Sequence, residues 1–154
     1  MTNTESNTRP TLSLWLFAFA VAINLYLLGA ACLLQAVAYP LLGDVSIDQL
    51  PAVHAGLTRR LGVAFILPEL LAFVAVLPLF RWCPSGISKK NLVVCILLGV
   101  VYFALTFAWH LPTHKLLSMG NGSAMPALLA SHALRTIVQA VKCGVLVIGF
   151  IRRQ

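Results

Sequence analysis

His132, Arg135, Gln139 and Lys142 follow one another at spacings of three, four and three residues inside an otherwise apolar run. On an α-helix this places all four within roughly 80° of one another, with Leu, Val and Ile on the remaining faces. Three other histidines, His54, His110 and His114, and one carboxylate, Glu69, also stand in or beside apolar runs. Imidazoles suit zinc, copper, iron and nickel, and two histidines with a carboxylate make the ligand face of non-haem iron oxygenases. The metal-ligand candidates are therefore His54, Glu69, His110, His114 and His132. His110 and His114, at i and i+4, are spaced to meet one ion, unless Pro112 between them ends the helix. A haem held by His110 and His132 is a narrower form of the same reading.

The candidate reaction groups are Glu69, Arg135 and His132. Histidine and glutamate serve as ligands or proton carriers, and arginine stabilises a developing phenolate. Glu69 against Arg135 and Lys142 leaves one buried positive charge in excess. Such a cation meets an anionic ligand, loses its proton or extends to the interface. Lys142 and Gln139 are accordingly the candidate cofactor contacts. A purely structural alternative stands beside these readings, with Glu69 paired to Arg135 in a low-dielectric polar core.

Such polar groups need a scaffold, and the composition says which. Of 154 residues 60% are hydrophobic and only 10% charged, against roughly 25% charged in soluble domains. A soluble enzyme, a disordered chain and a disulfide miniprotein are excluded. The net charge of +7 reads as membrane topology and not as nucleic-acid binding. Four apolar runs, about 12–39, 61–80, 92–109 and 128–151, each match the roughly 20 residues that cross a bilayer. The expected fold is an all-α bundle of four transmembrane helices forming a single domain over 12–151, with tails 1–11 and 152–154.

Arg9, Arg81, Lys89, Lys90, Arg152 and Arg153 fall on one side of this bundle, and Arg59, Arg60 and Lys115 on the other. The excess predicts cytoplasmic N- and C-termini in a cell (inner) membrane, with residues 83–90 as a cytoplasmic turn. Ser46 and Gln49 form a capping-box pattern, so a helical extracytoplasmic cap over about 47–60 is expected to run into the second span. That arrangement puts all four histidines in the outer half and Glu69 near mid-membrane. Asn24 and Gln35 in the first span, and Tyr102, Thr106, Trp109 and Thr113 in the third, supply facing polar seams. Small residues Gly29, Ala30, Ala31, Gly62 and Gly99 permit close helix approach. Asn121-Gly122-Ser123 reads as a loop turn before a glycosylation site.

Cys32, Cys83, Cys95 and Cys143 are dispersed, without a CxxC pair, and no nucleotide-binding or hydrolase motif is present. The landmarks Gln35 to Leu42, His54, Pro68-Glu69-Leu70, His114 to Leu117, Gly120 and His132 to Thr136 resemble a family of uncharacterised small bacterial four-helix integral membrane proteins. That family is in turn similar to the anthrone-oxygenase-like membrane proteins. The resemblance implies oxygenase-like or cofactor-assisted redox chemistry on a hydrophobic aromatic, with roles for His54, Glu69, His114 and Arg135. The functional expectation is a metal- or cofactor-dependent oxidoreductase, using iron, copper or zinc, on a hydrophobic aromatic or quinone-like molecule from the bilayer. The alternatives are a proton-coupled transporter using Glu69 and a structural or regulatory subunit; the oligomeric state is left open.

Overall fold

The structure, a computed structural model, describes residues 8–84 and 87–151. Most of the expected tail 1–11, all of 152–154, and Ser85 and Gly86 of the expected turn lie outside the described residues. Among the described residues the fold is all-helical, without strands. Four helices are long and apolar enough to cross a membrane: α1 (Leu12–Gly43), α2 (Leu50–Phe80), α3 (Lys89–Ser118) and α4 (Gly122–Gly149).

The expected cap runs into the second span without a break. Residues 50–61 are the first turns of α2, which runs on to Phe80. The Ser46–Gln49 capping box does not form. The Ser46 carbonyl, not its side chain, accepts from the Gln49 and Leu50 amides, and α2 starts at Leu50 with Pro51 in its first turn. Proline suits that position because its missing N–H has no intrahelical partner there. Ser88 begins α3 by accepting from the Lys90 amide at 3.2 Å. Gly120, at φ 80°, ends the same helix. The Asn121 amide reaches the Leu116 carbonyl and the Gly120 amide the Leu117 carbonyl, the paired bonds of a left-handed helix stop. The Asn121 side chain then accepts from the amide and hydroxyl of Ser123 in the turn that opens α4.

Three helices carry the same irregularity. A wide π-helical turn spans Leu34–Ala38 in α1, Gly62–Ile66 in α2 and Thr106–His110 in α3. Each ends two residues before a proline: Pro40, Pro68 or Pro112. A proline inside a helix has no N–H to give, and its ring collides with the carbonyl four residues back. Widening the preceding turn moves that carbonyl, which belongs to Ala36, Ala64 or Ala108, out of the way. The Ala64 carbonyl takes the Tyr26 hydroxyl as a partner at 3.3 Å. Pro112 therefore does not end α3, and His110 and His114 stay on one continuous helix. Pro78 is met differently, by tight three-residue bonds from Val76 to Phe80 that close α2.

Two apolar clusters hold the ends of the bundle. One gathers Phe17, Ala20, Val76, Leu79, Leu92, Cys95 and Leu146; the other gathers Leu34, Tyr39, Leu42, Leu50, Leu117 and Leu128 beside loops 44–49 and 119–121. Of the expected close approaches, Gly99 is one: a Cβ there would stand 2.8 Å from the Phe73 ring. Gly29 and Gly62 face open space instead.

Candidate functional site

The polar groups of all four helices meet between the two apolar clusters. Asn24 of α1 receives two bonds from Gln139 Nε2, to its side-chain and backbone oxygens, each at 3.1 Å. Lys142, one turn further along α4, lies 3.6 Å from Glu69 of α2, both buried. Arg135 stands apart from this pair. Its Nη2 donates to the Tyr102 hydroxyl at 2.6 Å, and its guanidinium lies 4.4 Å from the centre of the same ring. The expected Glu69–Arg135 ion pair is thus replaced by Glu69–Lys142, and Arg135 is held by an aromatic ring of α3.

All four histidines come together at the loop-bearing end of this layer. His54 Nε2 and His114 Nδ1 are 2.8 Å apart, and His114 Nε2 and His110 Nε2 are 3.1 Å apart. His110 Nδ1 lies 2.9 Å from the Ser131 hydroxyl, which itself donates to the Leu128 carbonyl. His132 Nε2 donates to the Ala31 carbonyl at 3.0 Å. The Tyr39 ring sits edge-on to His110, His114 and His132, closest to His132 at 4.8 Å between ring centres. Its hydroxyl is 3.5 Å from His110 Nε2.

The wide turn in α3 explains one displaced residue. A regular helix would keep Trp109 in the seam with Tyr102, Thr106 and Thr113. The extra residue in the turn swings Trp109 outward, where it is 39% exposed, and brings His110 inward to 4%. The threonines Thr58, Thr106, Thr113 and Thr136 each donate to the carbonyl four residues earlier, which satisfies their hydroxyls without a partner helix.

A cavity of about 240 Å³ lies against this layer. Its polar wall is Glu69, Tyr102, His110, His114, His132 and Arg135, and its apolar wall includes Leu61, Phe65, Ile66, Phe103 and Phe107. The His54–His114 bond bridges α2 and α3 on one side of it. Phe73, packed on Phe103 and Gly99, bridges them on the other. Between these bridges the cavity reaches Ile66 and Phe107, which are 68% and 66% exposed on the flank of the bundle. Its mouth is therefore a window between α2 and α3. All three wide turns contribute lining residues: Leu34 from the first, Gly62, Phe65 and Ile66 from the second, and Thr106, Phe107 and His110 from the third. His54, Gln139 and Lys142 do not line it.

Among the described residues no group of three or more His, Cys, Asp or Glu side chains is arranged to hold a metal ion. The geometry gives the reason. Both ring nitrogens of His110 and of His114 are engaged in hydrogen bonds, His132 Nε2 is held by Ala31, and Glu69 faces Lys142. A haem between His110 and His132 meets the same obstacle, although the rings are only 5.6 Å apart.

Tyr39, Ser131 and the Ala31 carbonyl are the parts of the site that sequence reasoning left unassigned. Tyr39 precedes Pro40 and Ser131 precedes His132, and those neighbours are the signals that point to them. No family model, curated protein or solved structure matches the chain.

Proposed function

We propose that the chain is a multi-pass protein of the cell inner membrane, with cytoplasmic termini, that takes a hydrophobic aromatic or quinone-like molecule from the bilayer into this cavity. The observation that carries the reading is the window between α2 and α3: it joins an apolar channel on the lipid-facing flank to a wall of imidazole, phenol, guanidinium and carboxylate. A quinone-like molecule fits that division, because its tail or ring is apolar and its head accepts hydrogen bonds. Arg135 and Tyr102 offer donors to such a head, and Arg135 Nε has no hydrogen-bond partner. A cation beside a phenolic oxygen stabilises its anionic form. Reduction of a quinone head takes up protons and oxidation releases them, and imidazoles are suited to both. What the chain's own residues would supply is a pocket, hydrogen bonds to the head and groups that carry protons, and these support the reading of oxidoreductase chemistry on a membrane-soluble substrate.

Binding of a methyl-naphthoquinone to the full chain in lipid nanodiscs tests this reading. Filling the cavity with Gly62→Trp or Thr106→Trp should weaken binding by on the order of tenfold or more while leaving helical content intact. Equal binding by all three proteins overturns it.

The Glu69–Lys142 pair favours a second reading, proton-coupled transport, since intramembrane carboxylates commonly carry coupling protons. Proton-driven substrate flux in liposomes that disappears in Glu69→Gln, from a protein that binds no naphthoquinone, would select it.

A further inference from the structure

The direction of every hydrogen bond among His54, His114 and His110 follows from one hydroxyl. Ser131 has a single proton and donates it to the Leu128 carbonyl. It must therefore accept from His110, which fixes the proton of neutral His110 on Nδ1. His110 Nε2 is then a bare acceptor, so His114 donates to it from Nε2. His114 Nδ1 becomes bare in turn and accepts from His54 Nε2. The series ends at His54 Nδ1, which is buried and without a hydrogen-bond partner. Three rings thus point their N–H groups the same way, from the first turns of α2 toward the cavity wall.

We propose that His54, His114 and His110 form a proton relay joining the loop-bearing end of the bundle to the cavity, with His110 as the group that hands the proton to the bound molecule. The acceptor in the cavity rests on the proposed function above; the relay itself is defined without it. A proton added at His54 Nδ1 releases the one on its Nε2 to His114 Nδ1. His114 Nε2 then releases its proton to His110 Nε2. One N–H bond forms and one breaks at His54 and at His114, which both end neutral, and the positive charge arrives at His110. There the new N–H lies between His114 Nε2 at 3.1 Å and the Tyr39 hydroxyl at 3.5 Å, and the His110 and Tyr39 side chains both line the cavity. The ionisable groups around the series are Tyr39 from α1, Tyr102 from α3, and His132 and Arg135 from α4. Afterwards His54 and His114 hold their protons on Nδ1, and ring turning or reverse hops restore the starting state.

The test uses the full chain in nanodiscs with isotope-labelled histidine, read by nuclear magnetic resonance without any quinone. The relay predicts the N–H at Nε2 of His54 and His114 and at Nδ1 of His110, with nitrogen–nitrogen couplings across both His–His bonds. A different tautomer at His110 or His114 overturns it. The second arm measures exchange of the His114 and His110 ring protons with water. His54→Gln keeps a donor toward His114 but cannot pass a proton on, and His54→Phe removes the donor. Both should slow exchange by on the order of tenfold or more, and unchanged or faster exchange in His54→Gln contradicts the relay. Naphthoquinone binding by His54→Gln is measured in parallel and should match wild type. Failure to bind in both proteins would fell the ligand reading while leaving the exchange result to decide the relay.

Discussion

Lys142 Nζ stands 3.6 Å from Glu69 Oε1, and neither group makes a hydrogen bond among the described residues. Two opposite charges so buried depend on each other, because removing either leaves the other without compensation in a low-dielectric layer. Replacing one partner of a buried pair typically costs about 3 to 5 kcal/mol, whereas replacing both by apolar groups of similar volume is often neutral. Lys142→Met and Glu69→Leu should each lower thermal stability in detergent strongly, and the double variant should recover most of the loss. Additive losses in the double variant would show that the two charges are not coupled.

Gly99 of α3 meets the Phe73 ring of α2. A methyl group there would overlap the ring, and overpacking of this kind costs about 1 to 3 kcal/mol. Gly99→Ala is therefore expected to destabilise, and Phe73→Leu in the same chain to restore part of the loss. Unfolding midpoints of the three proteins check this; a Gly99→Ala protein as stable as wild type contradicts the packing.

The wide turn Thr106–His110 sets the rotation of everything after it in α3. Deleting Ala108 should return the segment to regular helix and turn His110 and His114 by about 100°, one residue's rotation. Helical content by circular dichroism should hold while the His54–His114 coupling is lost. A coupling that survives the deletion would mean the wide turn does not position the histidines.

Loops 44–49 and 119–121 share one end of the bundle with the histidines, and Ser88 begins α3 at the other. Cysteine labelling at Ser88 and Asn121 in intact cells should report opposite sides of the membrane, with Asn121 reached from outside. Labelling of both from one side contradicts the four-span topology.

Much of this arrangement is legible in the chain. Continuous apolar runs mark the four helices, and the spacing of His132, Arg135, Gln139 and Lys142 marks the face of α4 that turns inward; all four are buried. Partner choice was not legible. Arg135 and Lys142 share a face two turns apart, and which of them meets Glu69 depends on the relative depth of α2 and α4. The wide turn at Gly62–Ile66 alters that register, just as the one at Thr106–His110 moves Trp109 out of its seam. Pro40, Pro68 and Pro112, standing in the middle of apolar runs, are the trace such turns leave in a sequence. The window between α2 and α3 leaves none, since it arises from where two helices separate.

Arg135 is held to Tyr102 both through its Nη2 and over the ring face. Arg135→Lys keeps the charge but loses the planar stacking and the forked donors. It should weaken naphthoquinone binding by on the order of tenfold, and Tyr102→Phe by less, since the ring face remains. Isothermal titration in nanodiscs measures both; wild-type affinity in Arg135→Lys would remove Arg135 from the binding wall.

The central claim, entry of a hydrophobic molecule between α2 and α3, is tested most directly by photolabelling the chain in nanodiscs with a photoreactive naphthoquinone and mapping the modified residues. The account predicts labelling concentrated on Phe65, Ile66, Phe103 and Phe107, competed by unlabelled quinone and lost in Thr106→Trp. Label spread over outward residues such as Leu25, Leu97 and Ile137, unaffected by competitor or by Thr106→Trp, would contradict it.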